Sequence, residues 1–199
     1  MTERCLICLQ PGSLDNGYHR KCMNELFGAS NAPTIELDTG IVQAAGLAMA
    51  GRSSLSGVQK KLSVKLSGDL RSLQIVSEGG SFILKPQTGT FQNLPEIEHT
   101  TMQMASLCRI ETAANGLLRL HDGSLAYLTK RFDRRGDGSK VHQEDFCQLL
   151  EQRPADKYRG SAERCMKVIA RFASEPGIEM MRLMRQLLYS WWVGNGDLH

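Results

Sequence analysis

Cys5, Cys8, His19 and Cys22 are of the types, and at the spacing, that bind a metal: C-x2-C-x10-H-x2-C. Two close pairs separated by a short loop suit tetrahedral zinc, because each pair grips one edge of the tetrahedron. Pro11-Gly12 and Asn16-Gly17 supply turns between them. Four ligands leave no open coordination position, so the expected zinc is structural and stands in for a core that so short a segment cannot build alone. The competing reading is three buried thiols beside a surface histidine. Cys108, Cys147 and Cys165 have no such pairing and read as core residues.

A second set of residues has the chemistry of phosphate handling. The loop SSLSGVQKK offers backbone N–H groups and hydroxyls that can lie over phosphates. The strand SFILK ends in Lys85, and the helix after it carries Glu96 and Glu98. A lysine on a strand, paired with a glutamate on the next helix, is held so that it aims at phosphates. Asp197, in an Asn-Gly-Asp turn after an apolar helix, can accept a proton from a substrate hydroxyl. Each feature alone is weak; in this order they sketch a two-lobed kinase.

The elements that must position these residues follow from the hydrophobic pattern. KLSVKL alternates strictly at Leu62, Val64 and Leu66, which predicts a strand with one buried face. LRSLQIV and SFILKP predict two more, with turns at Ser67-Gly68 and Gly79-Gly80. A helix is expected from Pro95 through Cys108, with Met102, Ala105 and Cys108 on one face. LLRL and LAYLTKRF predict a strand pair turning at Asp122-Gly123, and residues 161–174 and 177–193 predict two amphipathic helices. IVQAAGLAMA reads as a short helix. Strands first and helices later imply an α+β fold in two lobes, with a ligand cleft expected between them. The expected divisions are a zinc segment at 1–28, a linker at 29–50, a sheet-bearing lobe at 51–135 and a helical lobe at 136–199.

Composition bounds the class. The 199 residues are 41% hydrophobic and 23% charged, an ordinary globular balance that does not force disorder. The net charge of +3 is too small to imply nucleic-acid binding by itself. The clusters Lys60, Lys61, Lys65 and Lys130, Arg131, Arg134, Arg135 read as solvated surface or, more sharply, as phosphate contacts. No apolar run is long enough for a membrane span, and the N-terminal apolar run is too short for a secretory signal. A reducing cytoplasm is therefore expected, with cysteines as thiols or metal ligands.

Taken together, SLSGVQKKLSVKL, FILKP, the Glu98 helix, LTKRFDR, HQEDFCQLL and NGDLH resemble the HipA-like serine/threonine kinases, toxins of bacterial toxin–antitoxin modules, from about residue 51 onward. The chain looks closest to the short HipT-type kinases, whose missing N-terminal subdomain is a separate small protein. The resemblance implies that Ser56, Gly57, Val58 and Gln59 form the nucleotide loop. It implies that Ser54 and Ser56 are autophosphorylation sites, where phosphate would repel ATP and switch the kinase off. Lys85 becomes the ATP-phosphate lysine and Glu98 its favoured helix partner, with Glu96 the alternative. Lys130-Arg131-Phe132 becomes the hinge, its backbone reading adenine and Phe132 packing near the ring. His142, Glu144, Asp145 and Gln148 become scaffolding for the catalytic loop; a solvated helix N-terminus explains them equally well.

Asp197 would be the catalytic base, with His199 beside it in the same loop. The Lys and Asn of that loop, and the later Asp that binds Mg2+, do not follow. The sequence is therefore expected to be an excerpt of a longer kinase; a natural truncation or half of a split kinase are the other readings. The resemblance implies ATP and Mg2+ as cofactors, an aminoacyl-tRNA synthetase as substrate, a helix-turn-helix antitoxin as partner with nucleic acid reached only through it, and a HipS-like small subdomain protein. The competing function is a catalytically dead module of the same fold that binds an antitoxin or another protein.

Overall fold

The structure is a computed structural model, and it describes residues 3–29, 31, 33, 34, 40 and 61–196. The nucleotide loop with Ser54, Ser56, Gly57, Val58 and Gln59, the stretch IVQAAGLAMA, and the terminal Asp197 and His199 lie outside the described residues. The chain divides into two compact units, Met1–Gln103 with Thr112–Lys140, and Met104–Glu111 with Val141–His199.

The first unit is built on a five-stranded antiparallel sheet. Its strands are β1 (Leu62–Leu66), β2 (Leu73–Ile75), β3 (Phe82–Pro86), β4 (Asn115–Arg119) and β5 (Leu125–Lys130), in the order β2-β1-β3-β5-β4. The helices α1 (Arg20–Phe27) and α2 (Leu94–Leu107) precede β1 and follow β3. Alternation along the strands divides the sheet into two faces. On one face, Leu62 pairs with Leu84 and Val64 with Phe82, and Leu84 in turn with Leu128. All five are buried. Met23, Leu26 and Phe27 of α1 join the same core, with the Phe27 and Phe82 rings 5.9 Å apart. The N-terminal segment therefore shares the core of the sheet rather than standing as a separate bead.

Two departures from the sequence pattern have local causes. The strand expected over LRSLQIV shrinks to Leu73–Ile75, because Asp69 accepts from Ser67 Oγ and Arg71 N while Ser67 Oγ accepts from Ser72 N, curling the chain into a turn. Ser63 should face outward, yet it is buried. Gly80 crosses over it so closely that a Cβ there would lie 2.0 Å from Ser63 Oγ and 3.0 Å from the Val64 nitrogen. Only glycine permits that approach.

Helix α2 ends at Leu107, so Cys108 falls outside it and is exposed. Cys147 and Cys165 are only partly buried. The expectation that these three are core residues is thus corrected. The core-facing positions of α2 in the first unit are Pro95 and His99, one helical turn apart.

The second unit is helical: α3 (Phe146–Leu149), a single 3-10 turn at Pro154–Asp156, α4 (Ala162–Phe172) and α5 (Pro176–Trp192). Ser161 caps α4 by accepting from Arg164 N, and Pro176 opens α5 where its missing N–H costs nothing. The two helices pack on each other. Met181, Met184, Leu188 and Trp191 on α5 are exposed. No helix among the described residues is long and apolar enough to cross a membrane.

Candidate functional site

The sheet face opposite α1 carries Lys85, the lysine expected from the sequence to face phosphates. Lys85 lies on β3 directly across from Tyr127 on β5, and both point to the side where α2 lies. Lys85 Nζ donates to Glu98 Oε1, forming an ion pair whose side chains are each about a quarter exposed. The same Nζ stands 5.4 Å from the Tyr127 ring centroid, a cation–π distance. Between the two candidate glutamates, Glu98 makes the pair, and Glu96 Oε2 is buried with no hydrogen-bond partner among the described residues. The two positions lie about 200° apart around a helix, so one rotation cannot present both to Lys85.

The rotation of α2 is fixed by His99. Its ring is fully buried and its Nδ1 meets Asn115 Oδ1 at 2.8 Å, while Asn115 Nδ2 donates to the Ala113 carbonyl. With Asn115 oriented in this way, Nδ1 is the protonated nitrogen. Burial pulls the His99 pKa below the usual histidine range, opposed by Asn115 and by the Ile7 backbone beside the ring. Burial, and then the charge of Glu98, pushes the Tyr127 phenol above its usual range. The site thus holds a neutral tyrosine, a neutral histidine and one ion pair. Tyr127, His99 and Asn115 were missed by the sequence reading; the alternation of β5 was the signal for Tyr127, since residues sharing a face with Lys85 follow from the strand pairing.

At the end of β5, Lys130 pairs across to Phe82, and Phe132 is 77% exposed. Between and after them sits an ion triad. Arg131 Nε and Nη2 donate to the two oxygens of Asp133 at 2.8 and 2.7 Å, and Arg134 Nη1 donates to Asp133 Oδ2. The three side chains are only 10–11% exposed. The hydrogen bonds from Arg131, reinforced by both guanidinium charges, hold the Asp133 carboxyl at about 2. Arg131 and Arg134 share one carboxylate and are largely buried, which corrects their reading as solvated surface, and the triad keeps one net positive charge.

His142 and Glu144 lie 3.4 Å apart and are exposed. Asp145 and Gln148 form a reciprocal capping box on α3, each side chain accepting from the other's backbone N–H at 2.9 Å. Lys157 Nζ adds a 3.5 Å contact to Asp145. Holding the helix start is what these two residues do within their own unit.

The metal-type residues form a tight cluster: the ligand atoms of Cys5, Cys8, His19 and Cys22 all lie within 4.8 Å of one another. The Asn16-Gly17 turn has positive φ at both residues and is closed by the paired Asp15 and Tyr18 backbones, which brings His19 back to the cysteines. His19 precedes α1 and Cys22 lies in its first turn. His19 Nδ1 faces the sulfurs, 3.2 Å from Cys8 Sγ and 3.9 Å from Cys22 Sγ, and Nε2 faces Gly12, where a Cβ would come within 2.5 Å. Cys5 Sγ accepts from the backbone N–H of Ile7 and His19, at 3.5 and 3.3 Å.

This donor set fits a divalent ion. Burial opposes the Cys5 thiolate, but backbone donors from Cys8, His19 and Ile7 outweigh it and lower the pKa. Burial, with the neighbouring Cys8 and Cys5, pushes Cys22 up to about 12. A bound cation would favour the thiolate form of the coordinating cysteines and offset the mutual repulsion of their charges.

Comparison with known proteins places the part of the chain from residue 53 onward in a family. The model of the HipA-like C-terminal domain matches residues 53–199. Protein Y4dM of Sinorhizobium fredii, provisionally named a kinase, is 32% identical over 166 residues, covering 74% of this chain. Y4mE of the same organism and a protein of Haemophilus influenzae, with the same provisional name, are each 28% identical, over 74% and 73% of this chain. The matches span 39%, 37% and 45% of those three relatives' own lengths. Among solved structures, the HipA, HipB and operator DNA complex of Shewanella oneidensis matches with a TM-score of 0.59 at 22% identity, over 74% of this chain and 38% of that one. The family model covers well over half of the residues, and the chain belongs to the HipA-like C-terminal domain family.

Proposed function

We propose that this chain is the nucleotide-holding part of a HipA-type serine/threonine kinase. The observation that carries the reading is the Lys85–Glu98 pair, formed between a central strand and the following helix in a chain of this family. Such a pair keeps the ammonium group pointed, ready for the phosphates of ATP. Phe132, exposed just past the end of β5, suits packing beside adenine. The Arg131–Asp133–Arg134 triad stiffens the segment that would read the base. Ser56, Gly57, Val58 and Gln59 would supply the loop over the phosphates, Ser54 and Ser56 the autophosphorylation sites, and Asp197 the base that takes the substrate hydroxyl proton. Mg2+ would supply charge neutralisation across the β- and γ-phosphates.

The Cys5, Cys8, His19, Cys22 cluster would hold a structural zinc ion, its four donors leaving no position for substrate. The kinase reading further implies a protein substrate such as an aminoacyl-tRNA synthetase and a helix-turn-helix antitoxin, to which the solved complex of HipA with HipB lends support. A HipS-like subdomain protein would complete a HipT-type assembly. Thiols that serve as metal ligands suit the reducing cytoplasm.

The test is ATP binding by calorimetry, followed by phosphotransfer from radiolabelled ATP using the protein encoded by the full gene. Binding that is lost in Lys85→Met, with the fold intact by circular dichroism, supports the kinase reading. Equal ATP binding by wild type and Lys85→Met would sink it.

A further inference from the structure

The metal cluster is attached to the sheet at its outer strand. The Leu6 carbonyl accepts from Leu117 N at 2.7 Å, and Tyr18 Oη donates to the Leu117 carbonyl at 3.1 Å. The Ile7 side chain lies against Gly116, where a Cβ would come within 2.9 Å of Ile7 Cγ1 and 3.2 Å of Leu26 Cδ2. Leu6 and Ile7 belong to the loop between Cys5 and Cys8, so the segment that touches β4 is the one the ligands close.

Ile7 faces two ways. Its N–H donates to Cys5 Sγ. Its backbone also lies beside the buried ring of His99, whose Nε2 is buried with no hydrogen-bond partner among the described residues. His99 is adjacent in sequence to Glu98, and Glu98 holds Lys85. A short path therefore runs from a ligand sulfur, through the backbone of one residue, to the residue that sets the rotation of α2.

We propose that the metal at Cys5, Cys8, His19 and Cys22 is a positioning element for the phosphate-holding lysine: by closing the Leu6–Ile7 loop against β4 and His99, it fixes the rotation of α2 and so the direction of Glu98. This rests on the zinc reading above and extends it from local folding to the Lys85 site. Groups outside the ligand shell that orient the ligands are the ordinary way a metal site communicates with its surroundings. Here the outer group belongs to the helix that serves a second site. Without a cation, nothing ties the four ligand side chains together, the loop between Cys5 and Cys8 loosens, and α2 loses one of the walls that hold His99.

The experiment is hydrogen–deuterium exchange on the α2 peptides, with native mass spectrometry counting zinc on the same samples. Three samples are compared: the zinc-loaded chain, the chain stripped with a chelator, and a zinc-loaded Ile7→Ala variant. The expected result is one zinc per chain in wild type and Ile7→Ala, with α2 exchange faster by about ten-fold or more in both the stripped and the variant samples. ATP affinity should fall in parallel. Should stripping unfold the whole chain, the zinc-loaded Ile7→Ala sample decides, since its ligands are intact. Unchanged α2 exchange in Ile7→Ala overturns the proposal. Absence of bound zinc in wild type overturns both the zinc reading and this one. If α2 exchange follows zinc while even the loaded protein ignores ATP, the coupling stands and the kinase reading fails.

Discussion

Lys85 on β3 and Tyr127 on β5 face each other directly across the sheet, with the ammonium group over the phenol ring. Tyr127 is buried and Lys85 is not, so the ring forms a floor beneath a charge that stays within reach of solvent. The lysine is held from below by the ring and from the side by Glu98. Removing the two supports separately should give different results. Glu98→Gln keeps size but loses the charge, and at a quarter-exposed pair the stability cost should be small, about 1 kcal/mol or less. Tyr127→Leu should cost about 2 kcal/mol or more through lost packing and should also weaken ATP binding by letting the lysine wander. Urea denaturation and calorimetry on the two variants check both statements.

The Arg131–Asp133–Arg134 triad makes a pH prediction. Asp133 is held at about 2, below its ordinary 3.8. A depressed carboxyl stabilises the fold above the unfolded pKa, and that contribution is lost as pH falls from about 3.8 through about 2. The difference corresponds to about 2 kcal/mol. Asp133→Asn should lower stability at neutral pH by that order or more, because two largely buried guanidinium groups lose their counter-charge. The variant should also show a flatter acid limb. An unchanged acid limb in Asp133→Asn would show that the triad contributes nothing to folding.

Parts of this architecture were legible in the sequence because they are local. The Cys/His spacing depends on two short turns, and Asn16-Gly17 announces one of them. Strand β1 and its neighbours follow from alternation. Other parts were not legible because they depend on register or rotation. Tyr127 meets Lys85 only through the β3–β5 pairing, and a one-residue slip would have turned it to the other face. The choice of Glu98 over Glu96, which only the resemblance favoured, depends on a buried stripe made of Pro95 and His99, residues that a search for apolar periodicity passes over. The basic run at the end of β5 misled for a simpler reason: Asp133 sits inside it, and counting cations without their carboxylate turned an ion triad into a patch.

Gly116 should be intolerant of any side chain. A Cβ would meet Ile7 and Leu26 from the N-terminal segment, and neither lies at the end of a long flexible chain. Gly116→Val should cost about 1–3 kcal/mol by overpacking. Because the clash is with the segment that carries Cys5, Cys8, His19 and Cys22, the proposed zinc should also be released to a colorimetric chelator faster than in wild type. Gly116→Val with wild-type zinc release and melting temperature would mean that the segment is not seated on β4 as described.

His99 supplies the last prediction, on the other side of neutrality from Asp133. The groups around its ring are Asn115, the Ile7 backbone and the Tyr127 ring 6.5 Å away. Burial keeps the ring neutral in the folded chain, whereas the unfolded chain takes up a proton near 6.5. The sign follows from proton counting: below that pH the unfolded state binds more protons, so stability falls as pH drops through about 6.5 and continues to fall until the folded ring also titrates. His99→Gln retains a side-chain amide able to meet Asn115 but cannot take up a proton. It should be less stable than wild type at about pH 7.5, and the gap should narrow toward about pH 5. Denaturation midpoints measured across that range decide the matter. Parallel curves for the two proteins would mean that His99 does not carry the acid sensitivity, and a gap that widens on acidification would mean that the buried ring is held protonated instead.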